Sequence, residues 1–196
     1  MLLRPAPIGF LQLGTFSACG LVFFIFLLRA LSRRAPESGV KRDRRSQLGI
    51  IVQTIGISMV GFGQVIPTLA PLSPLSLVGT AAVLALMGGA IGLFAASSRE
   101  LGRNWSLVAR TRSDHELVRT GPYSRIRHPI YLGMLLFLLA LAVALGHWIQ
   151  LLVSLPVFIA GTTIRTRLED GLLEQSFGDS FRDYRRSTPA LIPRIF

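Results

Sequence analysis

Charge is missing from most of this chain. Residues 46–98 contain no Asp, Glu, Lys or Arg, and residues 5–28 and 129–164 form two further uncharged runs. A bilayer core about 30 Å thick needs ~20 apolar residues of helix. The three runs are therefore long enough for two, one and two crossings respectively. Cysteine is nearly absent too. A lone Cys19 excludes an intrachain disulfide and a thiolate metal site, and reads as a small apolar filler. No phosphate-binding Gly-rich loop, metal-ligand cluster or nucleophile triad is visible, and there is no internal repeat or low-complexity tract.

The charge that is present is strongly segregated. The net charge is +11 and the mean hydropathy +0.53. In a soluble protein such a charge would suggest nucleic acid. Here 20 of the 21 basic residues fall in three segments: 29–45, 99–127 and 165–194. Arg4 is the exception, and all ten acidic residues share the basic side. Basic residues accumulate in cytoplasmic loops of membrane proteins. The expected fold is thus all-α and polytopic, with five crossings, the N-terminus outside and the C-terminus cytoplasmic. No nucleic-acid partner is expected. Arg outnumbers Lys 20 to one. That bias fits a GC-rich genome and so, for a bacterium, the inner membrane.

The expected crossings are residues 8–28, 48–66, 75–96, 129–146 and 149–164. The first lacks a cleavage site and is expected to be retained. Pro67, Pro71 and Pro74 mark an external turn. Gly88 and Gly92, at small-xxx-small spacing, are expected to let helices approach closely. The last two crossings are short and separated by Gly146, His147 and Trp148, so they form a hairpin, with His147 and Trp148 as an interfacial anchor pair. Pro156 predicts a kink. Residues 1–98 would hold the first three helices and residues 99–196 the chemical core, within one domain overall.

The chemistry is expected between residues 101 and 133, which read LGRNWSLVARTRSDHELVRTGPYSRIRHPIYLG. Gly121-Pro122 forces a turn, and Pro129 suits the first turn of the fourth helix. The free amides of that helix start could take an anionic group. Arg165 and Glu169 share a helix face at i, i+4. The hairpin must bring them beside His128 and Tyr131. Taken alone, they could equally be a salt bridge with a snorkelling arginine.

The segment HELVRTGPYSRIRHPIYLG, with RTRLEDGLLEQSFGDSFRDYRRSTPALIP downstream, resembles the isoprenylcysteine carboxyl methyltransferase family over residues 99–196. These are integral-membrane enzymes that use S-adenosylmethionine. The resemblance implies a cofactor pocket beside the membrane, covered by the C-terminal segment. By position, cofactor contacts fall on His115, Glu116, Leu117, Val118, Tyr123, His128, Pro129, Ile130, Tyr131 and Glu169. Arg165 matches the arginine that members turn toward the substrate. Two departures stand out: Asp170 replaces a second Glu, and Val108 stands near a further cofactor-binding glutamine of eukaryotic members.

The expected reaction is methyl transfer to a lipophilic acceptor, chiefly a prenylcysteine-like carboxylate. A carboxylate is ionised at neutral pH and needs no base. It needs a cation, and Arg165 or Arg127 could offer a bidentate one. An amine or thiol acceptor would require proton removal, for which His128 and Glu169 are the candidates. Phospholipid N-methyltransferases and small-thiol S-methyltransferases carry similar motifs, and both remain open. A membrane steroid-type reductase using NADPH shares an HPxYxG-like element, and a non-enzymatic scaffold is the third class. The expected partners are membrane lipids and a lipophilic or prenylated substrate, with no metal.

Overall fold

The computed structural model describes residues 5–32, 41–42, 45–102, 105, 110–111 and 116–191. Six α-helices account for nearly all of them: α1 (Phe10–Ser32), α2 (Arg45–Gly61), α3 (Pro74–Leu101), α4 (Pro129–Leu145), α5 (Trp148–Phe177) and α6 (Asp179–Ser187). A two-residue antiparallel pair joins β1 (Lys41–Arg42) to β2 (Arg110–Thr111). Three helices, α1, α3 and α5, are long and apolar enough to cross a membrane, and α2 and α4 are shorter apolar helices. The polytopic all-helical expectation therefore holds.

Packing pairs α2 with α5, α3 with α4, and α1 with α3. Val83 and Met87 of α3 meet Ala140, Val143 and Ala144 of α4, and Phe16 and Phe23 of α1 close over them. Val60, Leu138, Ala142 and Phe158 form a second core between α2, α4 and α5. Large apolar side chains such as Phe24, Leu84 and Leu152 point outward. That pattern suits a lipid surround, in which association relies on close packing rather than on expulsion of water.

Glycine sets the close approaches, though not at the expected positions. A Cβ on Gly88 or Gly92 would meet nothing within 4 Å, so this pair is not a packing seam. The contacts fall instead on Gly56, Gly133 and Gly161. A Cβ on Gly56 would lie 2.8 Å from the Phe158 amide, and one on Gly133 3.2 Å from the Ala90 carbonyl.

The two ends of the bundle differ. At the uncharged end, Ile8 donates its amide to Ile66 and accepts from Leu69, and Ala6 donates to Gly146. The second helix therefore ends at Gly61 rather than running to residue 66. Gly63 (φ +140) and Pro67 break it, and the freed backbone pairs with the N-terminal residues instead. His147 is not an interfacial residue. It is fully buried, with ring nitrogens 2.7 Å from the Val60 carbonyl and 3.1 Å from that of Gln64. It pins the hairpin to the end of α2, while Trp148 is half exposed. At the charged end, α5 continues past the expected residue 164 to Phe177, with Pro156 inside it. This extension carries the acidic pair into the site.

Candidate functional site

The charged end is built where α4 begins. Gly121 takes a positive φ (+57) and opens a 3₁₀ turn, Gly121–Ser124, that buries Tyr123. Two residues after Ile126, which is also buried, α4 starts with His128 as its N-cap and Pro129 in the first turn. Pro129 is fully buried and Tyr131 nearly so. Opposite them, α5 presents Arg165, Glu169 and Asp170 one turn apart.

Six side chains close into a network. His128 Nε2 lies 2.9 Å from Asp170 Oδ1, and its Nδ1 lies 3.5 Å from Glu169 Oε2. Arg127 Nη2 donates to Asp170 Oδ2 at 3.0 Å. The Tyr131 hydroxyl donates to Glu169 Oε1. Arg165 stacks 4.9 Å from the Tyr131 ring centre and brings Nη2 to 3.8 Å from Glu169. Burial alone would lower the His128 pKa. The bonds to Asp170 and Glu169 outweigh it and raise the pKa above the usual imidazole range. Carboxylates stand at both ring nitrogens, so His128 bridges the two acids, and the raised pKa favours its cationic form. Glu169 is the most open member, with a quarter of its side chain exposed.

The C-terminal segment is bonded to the same place. Backbone amides of Arg127 and His128 donate to the carbonyls of Pro189 and Ala190, each at 2.9 Å. The Arg127 side chain also reaches the carbonyls of Thr188 and Arg185. Tyr184 donates to the Tyr123 carbonyl, and Arg119 lies over the Tyr184 ring and donates to the Ser180 carbonyl. Burial pushes the Tyr184 phenol up to about 12, so it stays a donor at physiological pH. Burial, with the Glu169 charge next, also raises the Tyr123 phenol. These bonds use most of the helix start. His128 gives its amide to Ala190, Pro129 has none, and Tyr131 turns back to the His128 carbonyl. The expected anion seat at the start of α4 is thus largely filled by the chain itself.

The residues expected from the sequence separate accordingly. Arg127, His128, Tyr131, Arg165 and Glu169 come together. Tyr123 and Pro129 are buried. Ile130 packs toward Ala30, Phe94 and Trp105 rather than toward the carboxylates. Glu116 is exposed, and Leu117 and Val118 are half-buried. His115 lies outside the described residues, as does Val108. Two members were missed as site residues. Asp170 was noted only as a departure from a motif, yet it holds both His128 and Arg127. Gln53, on α2, accepts from Arg165 Nη1 at 3.1 Å and donates to Thr162 Oγ1 at 2.7 Å. Its signal in the sequence is an amide inside the uncharged run of residues 46–98, where polar groups are costly and usually purposeful.

The model of the phospholipid methyltransferase family matches residues 78–180, just over half of the chain. The chain belongs to this family. Among curated proteins, it is 35% identical over 98 residues to the protein-S-isoprenylcysteine O-methyltransferase of Schizosaccharomyces pombe, covering 49% of this chain and 42% of that one. A nickel-cobalt-cadmium resistance protein of Alcaligenes xylosoxydans xylosoxydans is 36% identical over 107 residues, 54% of this chain and 49% of that protein. Methanethiol S-methyltransferase 2 of Bradyrhizobium diazoefficiens is 35% identical over 75 residues, 38% of this chain and 27% of that enzyme. The chain thus spans less than half the length of each of these relatives. The family-matched segment, residues 78–180, contains α4, the acidic pair and Arg165. It leaves out α2 and ends before the Thr188–Ala190 contacts.

Proposed function

We propose that this chain is an integral-membrane methyltransferase that uses S-adenosylmethionine and methylates the carboxylate of a lipophilic, prenylcysteine-like acceptor. The membership of the family supports methyl transfer, and one observation supports the acceptor class. His128 is held between two carboxylates, Nε2 2.9 Å from Asp170 and Nδ1 facing Glu169 at 3.5 Å, so neither ring nitrogen is open to an acceptor and it is a poor general base. An amine or thiol acceptor would have to give up its proton to such a base. A carboxylate would not.

The residues suit the cofactor. Its sulfonium and ammonium groups are cations, and Glu169 presents a partly exposed carboxylate with one oxygen fixed by Tyr131. When bound, S-adenosylmethionine supplies a methyl group already activated for in-line displacement. Glu169 would hold its cationic end, with Tyr131 and His128 fixing the carboxylate. Arg165 would pair with the acceptor carboxylate, and Arg127 would bind the C-terminal segment over the site while steadying Asp170. The main contribution asked of the protein is positioning and exclusion of water. We infer five crossings, with α2 and α4 as short ones and the charged end facing the cytoplasm. A lipophilic acceptor then enters from the bilayer and the cofactor from the cytosol.

The test is incubation of purified protein with methyl-labelled cofactor and a farnesylcysteine acceptor. A base-labile methyl ester is the expected product. Label that survives base, in an amine or thioether, refutes the carboxylate reading and supports a phospholipid N- or small-thiol S-methyltransferase.

A further inference from the structure

A glutamine inside a membrane helix must find partners, because lipid offers none. Gln53 is 1% exposed and sits within the uncharged run of residues 46–98. Both ends of its amide are used, and both partners lie on α5, one turn apart. Nε2 donates to Thr162 Oγ1, and Oε1 accepts from Arg165 Nη1. The glycines fix how far Gln53 has to reach. A Cβ on Gly161 would lie 2.6 Å from the Gln53 amide nitrogen, and one on Gly49 would lie 3.2 Å from the Gly161 carbonyl. The α2 and α5 backbones touch beside Gln53, so its side chain meets Arg165 from a nearly fixed origin.

Arg165 is otherwise drawn to the opposite side. Its guanidinium lies against the Tyr131 ring of α4 and near Glu169 of its own helix. Glu169 is also the carboxylate best placed for the cofactor. An arginine that collapsed onto Glu169 would neutralise that carboxylate and turn its own fork away from an acceptor. Gln53 holds one guanidinium nitrogen back toward α2.

We propose that Gln53 is a positioning residue that sets the direction of the Arg165 guanidinium. It makes α2, which lies outside the family-matched segment, part of the acceptor side of the site. The proposal rests on the reading of Arg165 as the acceptor-side cation. Gln53 touches neither reacting group in this scheme and acts through Arg165 alone.

The test uses full-length protein in nanodiscs, with a farnesylcysteine acceptor and S-adenosylhomocysteine as binding probe. Gln53→Leu should lower kcat/KM for the acceptor on the order of tenfold, equivalent to about 1.4 kcal/mol. S-adenosylhomocysteine affinity should stay within about twofold. Thr162→Val, nearly isosteric, should cause a smaller loss in the same direction by releasing the far end of the amide. Binding of the acceptor to the S-adenosylhomocysteine-loaded protein, measured by calorimetry, should weaken in the same order. In an Arg165→Lys background, Gln53→Leu should cost less than about twofold. A point charge has no fork to orient, and coupled residues are not additive. Wild-type turnover in Gln53→Leu overturns the proposal. So does an equal loss in both backgrounds, which would make Gln53 only a helix-packing residue. If Arg165→Lys itself turns over normally, the acceptor-cation reading fails, and this proposal fails with it. A loss confined to Arg165→Lys leaves that reading standing and removes Gln53 alone.

Discussion

Glu169→Gln should separate cofactor binding from folding. The substitution keeps the size of the side chain and an oxygen for the Tyr131 hydroxyl, so the strongest native bond survives. What it removes is charge. The other native partners of the carboxylate are distant, His128 Nδ1 at 3.5 Å and Arg165 Nη2 at 3.8 Å. Both lie beyond the usual 2.7–3.2 Å of an N–H donor. With a quarter of its surface exposed, Glu169 thus keeps capacity for a further donor. A ligand ammonium would fill that place. A hydrogen bond to a charged group contributes ~1.5–3 kcal/mol, which is about a 10- to 150-fold change in dissociation constant. Calorimetry with S-adenosylhomocysteine, which keeps the ammonium, should show a loss in that range, while the melting temperature in detergent moves little. Unchanged affinity in a folded variant would refute the assignment of Glu169 to the cofactor.

Other expectations follow from the same contacts. Tyr184→Phe removes the donor to the Tyr123 carbonyl and should lower stability by ~0.5–1.5 kcal/mol, seen as faster protease cleavage near α6; unchanged cleavage argues against docking through this bond. Gly56→Val should destabilise strongly, because its Cβ would sit 2.8 Å from the Phe158 amide, whereas Gly88→Ala, facing open space, should be nearly neutral in the same thermal assay. The pH dependence has a defined sign. His128 has a raised pKa, so its stabilisation is complete below the unfolded value of ~6.5 and is lost as pH rises through the folded value. The wild-type melting temperature should fall over that rise, and His128→Gln should flatten the slope; an undiminished slope would assign it to another group. Reporter fusions at Ser73 and His147 should read outside and those at the C-terminus inside, and a cytoplasmic signal at Ser73 removes the five-span topology.

The parts of the fold legible in the sequence are those governed by one-dimensional rules. Uncharged runs gave the helices, because a bilayer tolerates little else. The hairpin between Gly146 and Trp148 put residues 128–131 beside 165–169, because two helices joined by a tight turn share an end. Positions that depend on which faces meet were not legible. Gly88 and Gly92 have the right spacing for a packing seam, but α3 turns its Val83, Met87 and Ala90 face to α4 and leaves both glycines in open space. His147 looks interfacial because Trp148 follows it, yet the last turn of α2 and the loop after it each supply a carbonyl and draw the ring inside.

The same limit explains why the site was read too narrowly. Sequence motifs are contiguous, and the motif here runs from residue 115 to 133 with its partner segment at 165–193. Arg127 entered that reading as a possible acceptor anchor. In the structure its guanidinium bonds to Asp170 and to the carbonyls of Thr188 and Arg185. Arg165 has Gln53, Glu169 and the Tyr131 ring around it, drawn from three helices. The two arginines therefore differ in kind. Arg127 is bound to backbone carbonyls that an acceptor could reach only by displacing the C-terminal segment. Among the described residues, Arg165 is bound to side chains, whose rotamers can adjust when a carboxylate arrives. That difference, set by helix packing 112 residues away in the chain, is the physical reason for assigning the acceptor to Arg165 and the covering segment to Arg127.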